Sequence, residues 1–198
     1  MDTYLYQQEV QIAQAFDVLV AGGGPSGICA AVAAAREGAT VALIERYGIL
    51  GGMLTSGHVG PILGMVSQGT MRDELLGLLG VPDNDMLGIS GVAHDPEKAK
   101  LVLAEFVNHE NIHVFLQTKV VDVIREQETL RGLVLSGKEG PFALLGKVIV
   151  DATGDADIAY LAGVPCEKGR EEDSLMQPVT LEFTIDGVNE DCGIACIG

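Results

Sequence analysis

The sequence is short of basic residues and has no patterned metal or redox ligands. It has 12 lysines and arginines against 28 aspartates and glutamates, a formal charge of −16. Such an acidic chain disfavours nucleic acid and anionic membrane surfaces as partners. The four histidines show no metal-ligand grouping, and the four cysteines form neither a zinc spacing nor a C-x-x-C pair; the latter are Cys29, Cys166, Cys192 and Cys196. We therefore predict no metal site and reduced thiols, with a redox role for the Cys192–Cys196 pair as the less favoured alternative.

Targeting and membrane signals are also missing. The first residues, MDTYLYQQEV, lack the positive region of a secretory signal, so a cytoplasmic protein is the simplest expectation. The apolar stretch 16–35 has about the length of a membrane span, but its glycines and proline assign it to a globular core. A hydrophobic content of 47% with 20% charged residues is typical of a globular domain.

The most informative stretch runs from Phe16 to Glu45. Residues 16–21 are a short apolar run that suits a buried parallel strand, and Pro25 then stands where a helix begins. The alanine-rich helix of residues 28–36 ends at Gly38, and a second apolar strand, 40–44, closes on Glu45. The turn between strand and helix has the spacing G-x-G-x-x-G, formed by Gly22, Gly24 and Gly27.

This strand–turn–helix pattern indicates a dinucleotide-binding turn. Gly22 permits the tight turn, Gly24 allows the backbone to approach a pyrophosphate, and Gly27 lets the helix pack closely on the strand. Pro25 and Ser26 are the first residues of the helix. They stand at its N-terminus, the end that offers unpaired N–H groups to phosphates. Glu45 can accept hydrogen bonds from ribose hydroxyls, and its charge disfavours NADP. The alternative is a nucleotide-free α/β turn.

Two further loops follow predicted strands. Leu50-Gly51-Gly52-Met53 comes directly after the second strand, where open α/β sheets bind ligands, although a simple connector is the alternative. Residues 147–151 form another apolar strand, and Ala152-Thr153-Gly154 follows it. Asp155 either caps the next helix, 158–162, or serves the ligand, whereas for Asp157 capping is the favoured role. His58, in the loop TSGHVG, is either functional or a solvated loop histidine.

Four segments carry a resemblance to a known family, namely AGGGPSG, IERYGILGGMLTSG, VIVDATGDAD and KGREEDSLMQPVTLEF. Together they resemble the FAD-dependent oxidoreductase family with the glutathione-reductase type of fold, and the resemblance runs from about Glu9 to Val188. It implies FAD as the cofactor, with its pyrophosphate at the glycine turn. Beyond that turn, the resemblance assigns Glu45 and Arg46 to the adenosine ribose and the backbone of Val120 to the adenine. It places Gly51, Gly52, Met53 and Thr55 along the pyrophosphate and the approach to the flavin. On the other side of the cofactor it places Thr153, Gly154 and Asp155.

The predicted fold is α/β, a Rossmann-like parallel sheet with a three-stranded antiparallel meander. Residues 1–178 form the FAD-binding domain, and 179–198 begin an incomplete substrate domain with a strand at 179–185. An additional edge strand is expected at 8–12. The remaining expected elements are helices at 70–79 and 95–109, a loop at 80–94, a parallel strand at 112–116, and meander strands at 120–125, 130–135 and 142–145.

The expected activity is hydride transfer from an unidentified small-molecule substrate to flavin N5, with no side chain assigned as catalytic. Members of the family are considerably longer, so we expect this chain to be a fragment of a longer enzyme. A non-catalytic FAD- or nucleotide-binding module, as a homo-oligomer or part of a larger assembly, is one alternative. NAD binding without flavin is another.

Overall fold

The computed structural model describes residues 3–60, 62, 69–81 and 94–183. In chain order the elements are β1 (Gln11–Ala21), α1 (Pro25–Arg36), β2 (Val41–Ile44), a 3₁₀ turn (Gly52–Leu54), α2 (Met71–Leu79), α3 (Pro96–Phe106), β3 (Ile112–Phe115), β4 (Lys119–Glu126), β5 (Thr129–Gly137), β6 (Gly140–Asp151) and α4 (Asp157–Leu161).

One six-stranded sheet organises the fold, with the strand order β3-β2-β1-β6-β5-β4. The first four strands in that order are parallel, whereas β5 pairs antiparallel with both β6 and β4. Ala21 at the end of β1 pairs with Ile44 of β2 and with Asp151 of β6. The carboxyl ends of three parallel strands therefore meet at one edge of the sheet, which is where open α/β sheets bind ligands.

The predicted parallel sheet and antiparallel meander are both present, but β6 belongs to both. The sequence suggested separate strands at 142–145 and 147–151, whereas the chain continues as one strand through Gly146. A Cβ at Gly146 would lie 2.6 Å from Cγ of Leu19, so glycine is needed there for close contact between adjacent strands. What looked like a break between two strands is the point at which one strand passes a large neighbouring side chain.

The predicted edge strand at 8–12 is also wrong. Gln11 and Ile12 are the first residues of β1 itself, and they pair with Phe142 and Ala143 of β6. A register shift between Ile12 and Gln14 separates this outer part from the buried part of the strand. The extension exists because the long β6 offers a pairing partner that the sequence pattern does not show.

The helices agree with the sequence more closely. Asp95 caps α3, since its carboxylate accepts hydrogen bonds from the N–H groups of Glu97 and Lys98, and Pro96 follows it as the first helical residue. The helix ends at Phe106, three residues before the predicted end at 109, and the expected loop at 80–94 lies largely outside the described residues. The predicted strand 179–185 is not formed over residues 179–183, which are exposed; a strand needs a neighbour to be stable.

The central strands of the sheet, β2 and the inner part of β1, are buried on both faces. One face, which includes Val20, Val41 and Leu43, packs against α1, α2 and α3. The other, which includes Leu19, Ala42 and Leu144, packs with side chains of β5 and with Ile158 of α4. Burial on both faces explains why β1 and β2 read as continuous apolar runs. Of the helices in the described part of the chain, none is long and apolar enough to cross a membrane.

Candidate nucleotide-binding site

A cleft of about 400 Å³ lies at the carboxyl ends of β1, β2 and β6. Most of the site residues predicted from the sequence line it, namely Gly22, Gly24, Pro25, Ser26, Glu45, Arg46, Gly52, Met53, Val120, Thr153 and Gly154. The others, Gly27, Gly51, Thr55 and Asp155, lie outside its lining. The cleft also has lining residues that the sequence did not single out, among them Tyr47, Ser56, Thr118 and Lys119.

The three glycines of the turn have different surroundings. Gly22 has a φ of +104°, and a Cβ there would lie 2.4 Å from the carbonyl oxygen of Ala152. A Cβ at Gly27 would lie 1.8 Å from the carbonyl oxygen of Gly22, so the helix touches the turn directly. At Gly24 a Cβ would meet nothing within 4 Å. Gly22 and Gly27 are thus needed for packing within the protein, whereas Gly24 leaves space in the cleft.

The N-terminus of α1 is open to the cleft. Gly24 is its N-cap residue, no side chain caps the helix, and the first turn carries no acidic residue. The first N–H groups of a helix have no partner within the helix, and they carry the positive end of the helix dipole. The arrangement is therefore suited to an anionic group such as a phosphate.

Glu45 is buried, with 5% of its surface exposed, and its carboxylate joins two loops. Oε2 accepts a hydrogen bond from the N–H of Gly23 at 2.7 Å, and Oε1 accepts one from the N–H of Tyr47 at 2.8 Å. This structural role was not evident from the sequence. A carboxylate has about four acceptor sites, so these two bonds leave capacity for ribose hydroxyls. Next to it, the guanidinium of Arg46 lies over the ring of Tyr47, 4.9 Å from the ring centroid.

The two glycines after β2 place their loop on the glycine turn. The N–H of Gly51 donates to the carbonyl of Gly23 at 2.8 Å, and a Cβ at Gly52 would lie 3.1 Å from Cα of Gly24. Thr55 is fully buried, and its hydroxyl donates to the carbonyl of Leu50 at 2.6 Å. Thr55 therefore holds the loop from the protein interior, whereas Met53 is exposed to the cleft.

On the opposite side, Asp151 organises the turn after β6. Its Oδ1 accepts hydrogen bonds from the N–H and the hydroxyl of Thr153, and its Oδ2 accepts one from the N–H of Ala159 at 2.9 Å. The Thr153 hydroxyl in turn accepts one from the N–H of Asp157 at 2.8 Å. The cap of α4 therefore comes from Asp151 and Thr153, and the capping role favoured for Asp157 is wrong because its side chain makes no cap bond.

Asp157 instead contributes to the lining of the cleft, whereas Asp155 neither lines the cleft nor caps the helix. Gly154 has no atom within 4 Å of a Cβ placed on it, as at Gly24. At Gly154 the turn after β6 thus leaves its backbone uncovered.

A third segment completes the cleft at the end of β2. The N–H of Gln117 donates to the carbonyl of Tyr47 at 2.9 Å, and the N–H of Thr118 donates to the carbonyl of Glu45 at 3.0 Å. These bonds bring Val120 to the cleft from the start of β4. The position of Val120 at the cleft thus depends on hydrogen bonds between segments about 70 residues apart in the sequence, 45–47 and 117–118.

The remaining candidates lie elsewhere. His58 is half-buried in its loop and does not line the cleft. Cys29 lies half-buried on α1, where burial, together with the charge of Glu74, raises the pKa of its thiol, so it is not an activated thiolate. Cys192 and Cys196 lie outside the described residues. Among the residues that are described, no group of three His, Cys, Asp or Glu side chains could hold a metal ion.

A family model for FAD dependent oxidoreductases matches residues 17–197. The chain belongs to the FAD-dependent oxidoreductase family. This match spans nearly the whole chain and includes every loop of the cleft, and it identifies FAD as the cofactor. The mixed parallel and antiparallel sheet is that of a Rossmann-like FAD-binding domain.

The relatives of this chain include proteins with different names. Thiamine thiazole synthase from Aeropyrum pernix is 30% identical over 188 residues, which cover 89% of this chain and 68% of the relative. Soluble pyridine nucleotide transhydrogenase from Mycobacterium bovis is 32% identical over 112 residues, covering 57% of this chain and 21% of the relative. The crystal structure of Thermovibrio ammonificans THI4 superposes with a TM-score of 0.55 at 25% identity, covering 74% of this chain and 61% of that one. The chain thus spans about a fifth of the transhydrogenase.

The residues present fit an FAD pyrophosphate. Cβ atoms at Gly24 and Gly154 would project into free space, and the N-terminus of α1 has no capping side chain. Because the cleft wall there is bare backbone, a phosphate can reach the N–H groups. Glu45 stands at the same cleft with acceptor capacity for a ribose.

Proposed function

We propose that this chain is the cofactor-binding part of an oxidoreductase in which a small-molecule substrate gives a hydride to flavin N5. The observation that carries the proposal is the cleft at the carboxyl edge of the sheet, where the N-terminus of α1 and the buried Glu45 occur together. The glutathione-reductase type of fold, and the division into an FAD domain over 1–178 and a further domain from 179, belong to the same proposal.

When bound, FAD supplies a hydride acceptor, and the protein supplies binding, orientation and electrostatics. The N–H groups at the start of α1 would hold the pyrophosphate, and Gly24 leaves the space it needs. Glu45 would accept hydrogen bonds from the adenosine ribose, with Arg46 and Tyr47 at its side. The backbone of Val120 would contact the adenine.

The flavin-proximal side would be formed by Met53 and the backbone of Thr153 and Gly154. Met53 is 60% exposed, so its side chain is accessible to a ligand in the cleft. The proposal assigns no catalytic residue in the cleft. A homo-oligomer or a larger assembly is compatible with it, and no nucleic-acid partner is proposed.

The proposal is tested by the visible absorption spectrum of the purified chain, before and after incubation with FAD and desalting. We expect a flavin band that bleaches with dithionite and remains with the protein. A chain that is folded by circular dichroism and retains no flavin would contradict the binding site. Anaerobic bleaching by a candidate substrate then separates an oxidoreductase from a module that binds FAD without turning over.

A further inference from the structure

His94 joins the two ends of the loop that follows the 3₁₀ turn. The side chain is buried, with 5% of its surface exposed, and it stands immediately before the N-cap of α3. Its Nε2 lies 2.7 Å from the carbonyl oxygen of Leu54, and its Nδ1 lies 2.7 Å from the carbonyl oxygen of Gly60. One imidazole ring therefore bridges two backbone positions of the same loop, far from it in the sequence.

Both partners of the ring are acceptors. A carbonyl oxygen has no proton to donate, and a neutral imidazole has a single N–H, so a neutral ring can bond one of the two carbonyls and must turn a lone pair to the other. Rotating the ring by half a turn replaces both nitrogens by carbon and loses both bonds. Only the imidazolium, with an N–H on each nitrogen, satisfies the two contacts together.

We propose that His94 is a positioning residue, held as an imidazolium, that fixes the loop 54–60 against the cofactor cleft. Ser56 and Gly57 of that loop line the cleft, and the Leu54 carbonyl lies next to Met53, which also lines it. Within the loop, the N–H of Val59 donates to the carbonyl of Met53 at 2.9 Å. The ring ties both ends of this short segment to α3. The effect of His94 on FAD rests on the function proposed above, whereas its protonation does not.

The charged groups near His94 bear on whether the ring is held as an imidazolium. The titratable or charged side chains on the joined segments are His58 in the loop, and Asp95, Glu97 and Lys98 at the start of α3. Among the described residues no carboxylate forms an ion pair with the ring. Burial opposes the charge, and two charge-assisted bonds favour it. A ring with a single N–H would hold the loop at one end only.

His109 provides a matched control in the same chain. Its Nδ1 accepts a hydrogen bond from the N–H of Asn111 at 3.1 Å, which requires that nitrogen to be unprotonated. The first experiment is a long-range proton–nitrogen NMR spectrum of the chain labelled with ¹⁵N-histidine, with assignments from single variants of the other three histidines. At about pH 7.5 we expect two ring N–H groups on His94 and a bare Nδ1 on His109. A single N–H on His94 would overturn the proposal.

The second experiment measures the FAD dissociation constant of the wild-type chain, His94→Gln and His109→Gln at one pH. His94→Gln has one donating end and can hold only one of the two carbonyls, so we expect its dissociation constant to increase by up to about tenfold. His109→Gln should bind FAD as the wild type does. Wild-type affinity in a folded His94→Gln would refute the clamp. Should His94→Gln not fold, the wild-type NMR spectrum decides.

The two proposals fail differently. Two ring N–H groups on His94, together with no FAD binding, would support the clamp and refute the cofactor site. Tight FAD binding with a neutral His94 would do the reverse.

Discussion

Replacing Gly24 by alanine tests whether the space in the cleft exists for a pyrophosphate. Gly24 has a φ of −74° and a ψ of −178°, which any residue can adopt, and an added Cβ meets nothing within 4 Å. Alanine is a poorer N-cap than glycine, whereas it lowers the entropy of the unfolded chain, and the two effects are each below about 1 kcal/mol and opposite in sign. We therefore expect the free energy of unfolding to change by less than about 1 kcal/mol.

FAD binding should change far more. A hydrogen bond to a charged group contributes about 1.5–3 kcal/mol, so displacing the pyrophosphate from two N–H groups loses roughly 3–6 kcal/mol. That corresponds to a factor of about 10²–10⁴ in the dissociation constant. The larger Gly24→Val should abolish detectable binding. The measurement is a fluorescence titration of FAD into the apoprotein, accompanied by urea unfolding of the same samples.

Two other glycines serve as controls. Gly77 lies on α2, and a Cβ there also meets nothing, so Gly77→Ala should leave FAD binding unchanged and stabilise the helix by about 0.5–1 kcal/mol. Gly27→Ala should instead disrupt the fold, because its Cβ would lie 1.8 Å from a carbonyl oxygen. Wild-type FAD affinity in a folded Gly24→Ala protein would refute the reasoning.

Three further changes address the residues around the cleft and the sheet. Glu45→Ala removes the acceptor of two backbone N–H groups, so urea unfolding should show a loss of about 2–4 kcal/mol, and FAD should bind about tenfold or more weakly. Asp151→Ala should speed amide hydrogen exchange at Ala159, since the turn after β6 loses its acceptor. The hydrogen bond from Lys147, and those from Thr40, hold the pKa of Asp17 well below its usual range. The stability difference between wild type and Asp17→Asn should therefore be constant at neutral pH and shrink as pH falls below about 4.

The outcomes that contradict these expectations are equally specific. Unchanged unfolding in Glu45→Ala would mean that its two hydrogen bonds do not hold the turn. An unchanged rate of amide hydrogen exchange at Ala159 in Asp151→Ala would mean that another group caps α4. A stability difference between wild type and Asp17→Asn that grows on acidification would have the opposite sign to the expected one, since a carboxyl with a lowered pKa stabilises the fold only while it is ionised.

The nucleotide-binding turn could be predicted from sequence because its parts are local. Strand, turn, helix and second strand all lie within residues 16–45, and each has a periodicity or a special residue that marks it. The meander was likewise recognisable from short strands separated by turns at 127–129 and 137–140. The cleft follows from these elements, because parallel strands bring their carboxyl ends to one edge.

The less successful predictions concern contacts between distant residues. Nothing local to Gly146 indicates that β6 runs on past Leu19, and the missing Cβ suggested a break instead. The cap of α4 is supplied by Asp151, eight residues before the N–H it binds at Ala159, whereas capping rules look for a side chain next to the helix.

The sequence by itself determined the class of fold, the glycine turn and the acidic residue at the end of the second strand, because short-range sterics and periodicity decide them. Only the tertiary structure decided that Glu45 bonds the N–H of Gly23, that β6 serves both the parallel and the antiparallel part of the sheet, and that His94 bridges Leu54 and Gly60. The physical reason is that a buried polar group takes whichever partner the folded chain brings within about 3 Å, and spacing along the chain does not encode that partner.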